Sequence, residues 1–180
     1  MIRLFAALPI PADIGQGLVR RQQGLADARW SPAENFHITL RFAGDIDEAA
    51  AEDLDSALSH VVGEPLDIVL SGVGAFGEGR EIHAIWAGVV ENPALRHLAE
   101  ACESAARRAG LRPDTRLYHP HVTLAYLRRP DPMAVAGWIQ ANNLLQSPGF
   151  RVEGFGLYAS RATKSGSRYQ LERYYRLGAD

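Results

Sequence analysis

Two short runs in this chain carry the same chemistry-bearing residues at the same spacing. His37-Ile38-Thr39-Leu40 recurs as His121-Val122-Thr123-Leu124, 84 residues further on. Imidazole is the side chain that titrates nearest neutral pH, so one copy can act as base while the other acts as acid. Each histidine is followed two places on by a threonine hydroxyl, which can donate to an oxyanion and hold it in line. Two imidazoles on opposite sides of a phosphorus suit an in-line displacement. One activates the nucleophile and the other protonates the leaving oxygen. His37 and His121 are therefore the candidate catalytic pair, and Thr39 and Thr123 the candidate phosphate contacts. A half-chain repeat of this kind also fits a duplicated lobe.

The elements around the pair must turn these side chains toward one another. Phe36 to Phe42 alternates and reads as a strand, as does His121 to Leu127. Residues i and i+2 of a strand share a face. That places His37, Thr39 and Arg41 together, with Phe36, Ile38, Leu40 and Phe42 behind them. The second copy places His121 with Thr123, and Val122 with Leu124 behind. Further strands are expected at Ile2 to Leu8, Leu66 to Val73, Ile82 to Val90, Phe150 to Ala159 and Tyr169 to Leu177. Gly72 to Gly79 and Ser165 to Ser167 read as hairpin loops.

Helices are expected from Pro11 to Ala26, from Asp47 to Val62 with Asp45 as a capping signal, after Asn92-Pro93 up to a glycine stop at Gly110, and from Asp131-Pro132 to Ala141. Adjacent strand pairs interspersed with helices favour an α+β fold with mainly antiparallel sheets. Residues 1–180 show no linker and read as one domain.

Composition excludes several classes. The 180 residues are 47% hydrophobic and 22% charged, which is globular. A chain of this length buries roughly 70% of its unfolded surface and needs no staple. The single cysteine, Cys102, lies on a helical apolar stripe and excludes a disulfide framework or a thiolate zinc site. A net charge of −2 argues against a broad basic nucleic-acid clamp while leaving room for a local basic cleft. No apolar run approaches the ~20 residues of a bilayer span, and Pro9 and Pro11 break the only leader-like stretch. A cytoplasmic location away from membranes is expected.

The sequence resembles the 2H phosphoesterase superfamily, named for paired His-x-Thr-x motifs, and within it the bacterial RNA 2′,3′-cyclic phosphodiesterases historically called 2′-5′ RNA ligases. The resemblance rests on Arg3-Leu4-Phe5-Ala6-Ala7, Glu34 to Gly44 around the first motif, Pro120 to Ala125 around the second, and Leu157-Tyr158-Ala159-Ser160. It implies a bilobal, pseudo-twofold fold with helices outside and the site in the groove between lobes. It also implies metal-independent opening of a 2′,3′-cyclic phosphate to a 2′-phosphomonoester, with no cofactor. Carried onto this chain, His37 donates a proton to the leaving 3′ oxygen, His121 activates water, and Thr39 and Thr123 bind the phosphate. The implied partner is an RNA or oligonucleotide end, with no obligate protein partner. A 5′-hydroxyl in place of water would give 2′-5′ ligation.

One position departs from the family. Members often carry Arg two places after the second motif's Leu, and here that residue is Tyr126. Arg41, beside His37, and Arg128, on the expected face of Tyr126, are candidate replacements for the charge. Phe5, Trp30, Phe36 and Tyr126 are the aromatic candidates for base stacking; Phe36 is directed to the core, and Phe5 and Tyr126 are the preferred pair. Two other readings compete. One is a module that binds RNA ends without turnover, motivated by Tyr126. The other is a metal-dependent phosphoesterase using His83, His119 and His121.

Overall fold

A computed structural model of the chain describes residues 1–178. The elements run β1 (Ile2–Pro9), α1 (Ala12–Val19), β2 (Arg29–Trp30), β3 (His37–Ile46), α2 (Glu48–Ser59), β4 (Leu66–Ile68), β5 (Leu70–Phe76), β6 (Ala84–Val89), α3 (Pro93–Arg108), β7 (His121–Tyr126), α4 (Pro132–Asn142), β8 (Phe150–Val152), β9 (Gly154–Thr163) and β10 (Gly166–Arg176). They form two four-stranded sheets, ordered β10-β9-β1-β3 and β2-β7-β6-β5, and a β4-β8 pair. All pairings are antiparallel, so the fold is α+β as the element pattern indicates. The sheets exchange chain: β2 comes from the N-terminal third but joins β7, and β9 and β10 come from the C-terminus but join β1.

The two motif strands are built alike. In the first sheet Pro9 faces His37, Leu8 faces Ile38 and Ala7 faces Thr39, after which Ala6 faces Arg41. In the second, Gly88 faces His121, Ala87 faces Val122 and Trp86 faces Thr123, after which Ile85 faces Ala125. Each motif leucine, Leu40 or Leu124, is thus the extra residue of a β-bulge. A bulge inserts one residue and reverses the facing of everything beyond it.

That reversal corrects two expectations. Arg41 does not share the face of His37 and Thr39; it lies with Ala6 on the helix-covered side and is 9% exposed. There its guanidinium donates to the Glu103 carboxylate on α3, to the Phe42 carbonyl and to the Arg112 carbonyl. Phe42, expected in the core, is turned out and 41% exposed. The remaining apolar positions of the motif strands, Ile38, Leu40, Val122 and Leu124, are buried as the alternation requires. Helices α2 and α3 cover β1 and β3, and α4 packs on β5.

Several boundaries differ from the expected ones. Helix α1 ends at Val19, where Arg20 and Arg21 close a turn onto Gln16 and Leu18, so Leu25 reaches the core from a loop. Asp47, not Asp45, caps α2 by accepting from the Ala50 amide, while Asp45 pairs with Arg3. Strand β5 runs on through the glycines to Phe76 because Gly74 lies flat against Trp86; a Cβ there would sit 2.4 Å from the indole. The loop expected at Ser165 to Ser167 is only a two-residue turn, because β9 runs on to Thr163 and β10 begins at Gly166. The expected caps of α3 and α4 are present: Asn92 and Asp131 accept from Leu95 and Met133, and Gly110 follows α3 at φ +82°. Among the described residues no helix is long and apolar enough to cross a membrane.

The Arg41–Glu103 pair gives a stability test. Removing one partner of a buried pair strands the other charge, at a cost of about 3 kcal/mol. Glu103→Ala is therefore expected to lower the urea midpoint strongly, whereas Asp45→Ala, which breaks the exposed and solvent-screened pair with Arg3, is expected to leave it nearly unchanged. Equal, small losses in both would show that Arg41 is not held by Glu103.

Candidate active site

Strand β3, at the edge of its sheet, lies against β7 of the other sheet, so the two motifs meet. Each histidine is held in the same way. His37 Nδ1 lies 2.7 Å from the Asn35 carbonyl, and His121 Nδ1 lies 2.6 Å from the His119 carbonyl. A carbonyl only accepts, so Nδ1 of each ring carries the proton and donates it. Nε2 of each neutral ring is then the nitrogen with a free lone pair. Thr39 and Thr123 follow on the same strand faces, half-buried. The four residues singled out by the repeat are thereby brought to one cleft.

Aromatic side chains fix the rings from behind. His37 packs on Phe5 with centroids 4.8 Å apart, and Tyr169 meets it edge-on at 5.2 Å. Tyr158 stacks on the other side of Phe5 at 5.5 Å. In the second lobe Phe76 meets His121 edge-on at 4.7 Å, and Phe76, Trp86 and His119 pack mutually against one another. Tyr118 ties the lobes together by donating to the Thr39 carbonyl at 2.9 Å. Gln22 donates to the carbonyl of Leu124, the second bulge residue, at 3.1 Å.

Burial sets the protonation state. His37 is held far below its ordinary value of 6.5, at about 4, chiefly by desolvation; the Asn35 hydrogen bond opposes this, and nearby His121 adds to it. His121 is lowered mainly by burial, with a further contribution from His119. Both rings are therefore neutral near pH 7.

The other candidates fall elsewhere. Phe5 is 3% exposed and sandwiched among His37, Tyr158 and Tyr169, so it supports His37 and cannot stack on a base. Arg41 is on the opposite face, as described. Arg128 lies beyond the end of β7 at Tyr126, so the expected shared strand face does not exist. Tyr126 does face the cleft: it sits opposite Ala84, past the bulge, and is 40% exposed. Trp30 is half-buried against Trp138. Among the described residues no three His, Cys, Asp or Glu side chains gather as a metal-ligand set, so His83, His119 and His121 are not assembled as one. Cys102 is fully buried in the core, with its thiol pushed up to about 12 by burial.

Sequence reasoning missed Tyr158 and Tyr169, which flank Phe5, and the two carbonyls that orient the imidazoles. The carbonyls belong to the residues two places before each histidine, but a backbone group leaves no signature in residue type.

The profile of the 2′-5′ RNA ligase superfamily matches residues 14–164. The chain belongs to the 2′-5′ RNA ligase superfamily. Among curated relatives of this superfamily member, the Escherichia coli K12 RNA 2′,3′-cyclic phosphodiesterase is 31% identical over 176 residues, covering 93% of this chain and 92% of its own. An Archaeoglobus fulgidus protein of the same name is 28% identical over 97% of this chain and 99% of its own. The crystal structure of E. coli LigT complexed with 3′-AMP superposes with a TM-score of 0.80 at 26% identity, over 99% of both chains. A Thermus thermophilus protein, 23% identical, shares the fold with a TM-score of 0.79 over 97% of both chains.

The lowered imidazole values have a measurable consequence. As pH falls, the unfolded chain takes up protons first, at its ordinary 6.5, while the folded chain resists down to about 4 for His37. Stability is expected to decline across that window, and His37→Gln to flatten the decline. Proton NMR should show both imidazoles titrating below 6.5. A His37 resonance that titrates at or above 6.5 would show that burial does not set its state.

Proposed function

We propose that this chain opens 2′,3′-cyclic phosphate ends of RNA to 2′-phosphomonoesters, with His37 and His121 as the acid–base pair. The observation that carries the reading is the matched geometry: two His-x-Thr runs on facing strands, each imidazole oriented by the carbonyl two residues before it. The relatives named RNA 2′,3′-cyclic phosphodiesterase, similar over nearly the whole chain, support it.

In this mechanism the cyclic phosphate enters as an anion between the two rings and is held by the Thr39 and Thr123 hydroxyls. Its charge raises the imidazole values that burial has lowered, so His37 takes up a second proton, at Nε2, when the anion binds. His121 Nε2 takes a proton from water as the water oxygen bonds to phosphorus. The bond from phosphorus to the 3′ oxygen breaks in line, and His37 Nε2 protonates that oxygen. The product is a 2′-phosphomonoester with a free 3′-hydroxyl. Ring strain activates the substrate, and no step calls on a metal or a nucleotide cofactor. A 5′-hydroxyl in place of water gives a 2′-5′ linkage by the same route. The exchange of β2 and of β9–β10 between sheets supports reading residues 1–180 as one domain of two intertwined lobes.

Phosphorus NMR of a cyclic-ended dinucleotide in EDTA tests the reading. Wild type is expected to give the 2′-phosphate, and His37→Ala and His121→Ala each to lower kcat by at least ~10². The p-nitrophenyl ester of a nucleoside 2′-phosphate separates the roles, because its leaving group needs no proton. On that ester His37→Ala should recover most of its activity and His121→Ala none. A ring left intact by wild type, with the end still bound, would replace hydrolysis with end-binding.

A further inference from the structure

One concavity at the end of the cleft is not used by this chemistry. It measures about 520 Å³, within the range of small-molecule sites, and is open to solvent on one side. Its walls come from two separate parts of the chain. Arg29, Trp30 and Tyr126 stand on β2 and β7, while Arg168 and Tyr169 stand on the β9–β10 hairpin. Asn35, whose carbonyl holds His37, closes the inner end, and its side chain donates to the Ser167 carbonyl at 2.7 Å, fixing the hairpin against the cleft. Tyr169 reaches from this wall to the edge of the His37 ring, 5.2 Å away. The concavity therefore begins where the acid–base pair ends.

Its charge is unusual in this near-neutral protein. Arg29 and Arg168 are both present, and neither has a carboxylate within 4.0 Å among the described residues, although Glu34 also lines the wall. The Arg29 guanidinium lies 5.1 Å from the centroid of the Tyr126 ring, opposite it across the β2–β7 ladder. Stacking of this kind holds the planar fork in place while leaving its N–H groups free for an anion. Tyr126 and Arg29 both act on Tyr169: burial and Tyr126 push its phenol up to about 12, and Arg29 opposes them. The cation, Tyr126 and Tyr169 thus form one cluster spanning both walls.

We propose that this concavity binds the nucleotide on the 5′ side of the cyclic end, with its phosphodiester between Arg29 and Arg168. The proposal rests on the cyclic-phosphate reading of the two-histidine cleft and names which form of the end that cleft prefers. Two unpaired guanidinium forks suit one diester anion, since charge-assisted, bidentate contacts are the strong ones. The open side lets the rest of the strand leave into solvent. A cyclic mononucleotide fills the histidine cleft alone and leaves this subsite empty. An end carrying one more nucleotide fills both.

The test compares kcat/KM for a 2′,3′-cyclic mononucleotide with that for the cyclic-ended dinucleotide. Wild type is expected to prefer the dinucleotide by about tenfold or more. Arg29→Ala, and separately Arg168→Ala, should each reduce that ratio by about tenfold, and Arg29→Lys should restore only part of it. A dinucleotide with a neutral methylphosphonate linkage should behave alike with wild type and both variants. Equal losses on both substrates would overturn the proposal, because the arginines would then act at the histidine cleft. So would an unchanged ratio. If wild type opens neither substrate, the reading of the reaction fails instead, and the same comparison by equilibrium binding still decides the subsite. There, a tenfold loss of dinucleotide affinity in the variants, absent for the methylphosphonate, supports it, and no loss overturns it.

Discussion

Everything at this site depends on a short hydrogen bond made twice: imidazole Nδ1–H to the carbonyl two residues earlier, at 2.7 Å for His37 and 2.6 Å for His121. The bond chooses the tautomer, so Nε2 is the nitrogen left with a free lone pair. It also sets the plane of each ring, because donor and acceptor share one short stretch of chain. A ring tied to its own backbone moves only as its strand moves. Positioning two such rings against each other therefore reduces to positioning two strands, and that is what the sheets do.

The bulges at Leu40 and Leu124 are the second half of this arrangement. A strand with unbroken alternation would carry its cleft face past the threonine to the residue at i+4 from the histidine. The inserted leucine ends that face instead. In the first lobe the i+4 residue, Arg41, turns inward and ties β3 to α3 through Glu103. In the second lobe the i+4 residue, Ala125, is simply buried. The lobes thus share backbone geometry but use the same position differently: one needs a clamp for an edge strand, while β7 is flanked by β6 and β2. The cleft keeps the residues up to the threonine and, beyond the bulge of the second lobe, Tyr126, while Phe42 of the first is turned outward.

Burial supplies the electrostatics. Aromatic packing behind both imidazoles removes water and lowers their proton affinity, leaving a neutral pair. The same aromatic layer continues through Tyr169 to the arginine-lined concavity, so one hairpin both backs His37 and walls the neighbouring space.

Much of this was legible in the residues. The duplicated His-x-Thr run marked the four cleft residues, the alternation marked Ile38 and Val122 as core, and Asn92, Asp131 and Gly110 marked helix ends; all of these are local consequences of side-chain type and spacing. Arg41, Phe42 and Arg128 were misplaced because a bulge and a strand end are decided by pairing with another strand, which no period in one strand reveals. Phe5 looked like a stacking surface until Tyr158 and Tyr169 closed over it. Arg29 and Arg168 carry no signal at all, 139 residues apart in a chain rich in arginine. The sequence by itself determined which groups can do acid–base chemistry, because that is a property of the residues. Only the tertiary structure decided which cations border the cleft and which are buried, because hydrogen-bonded pairing between distant strands sets the direction in which each side chain points.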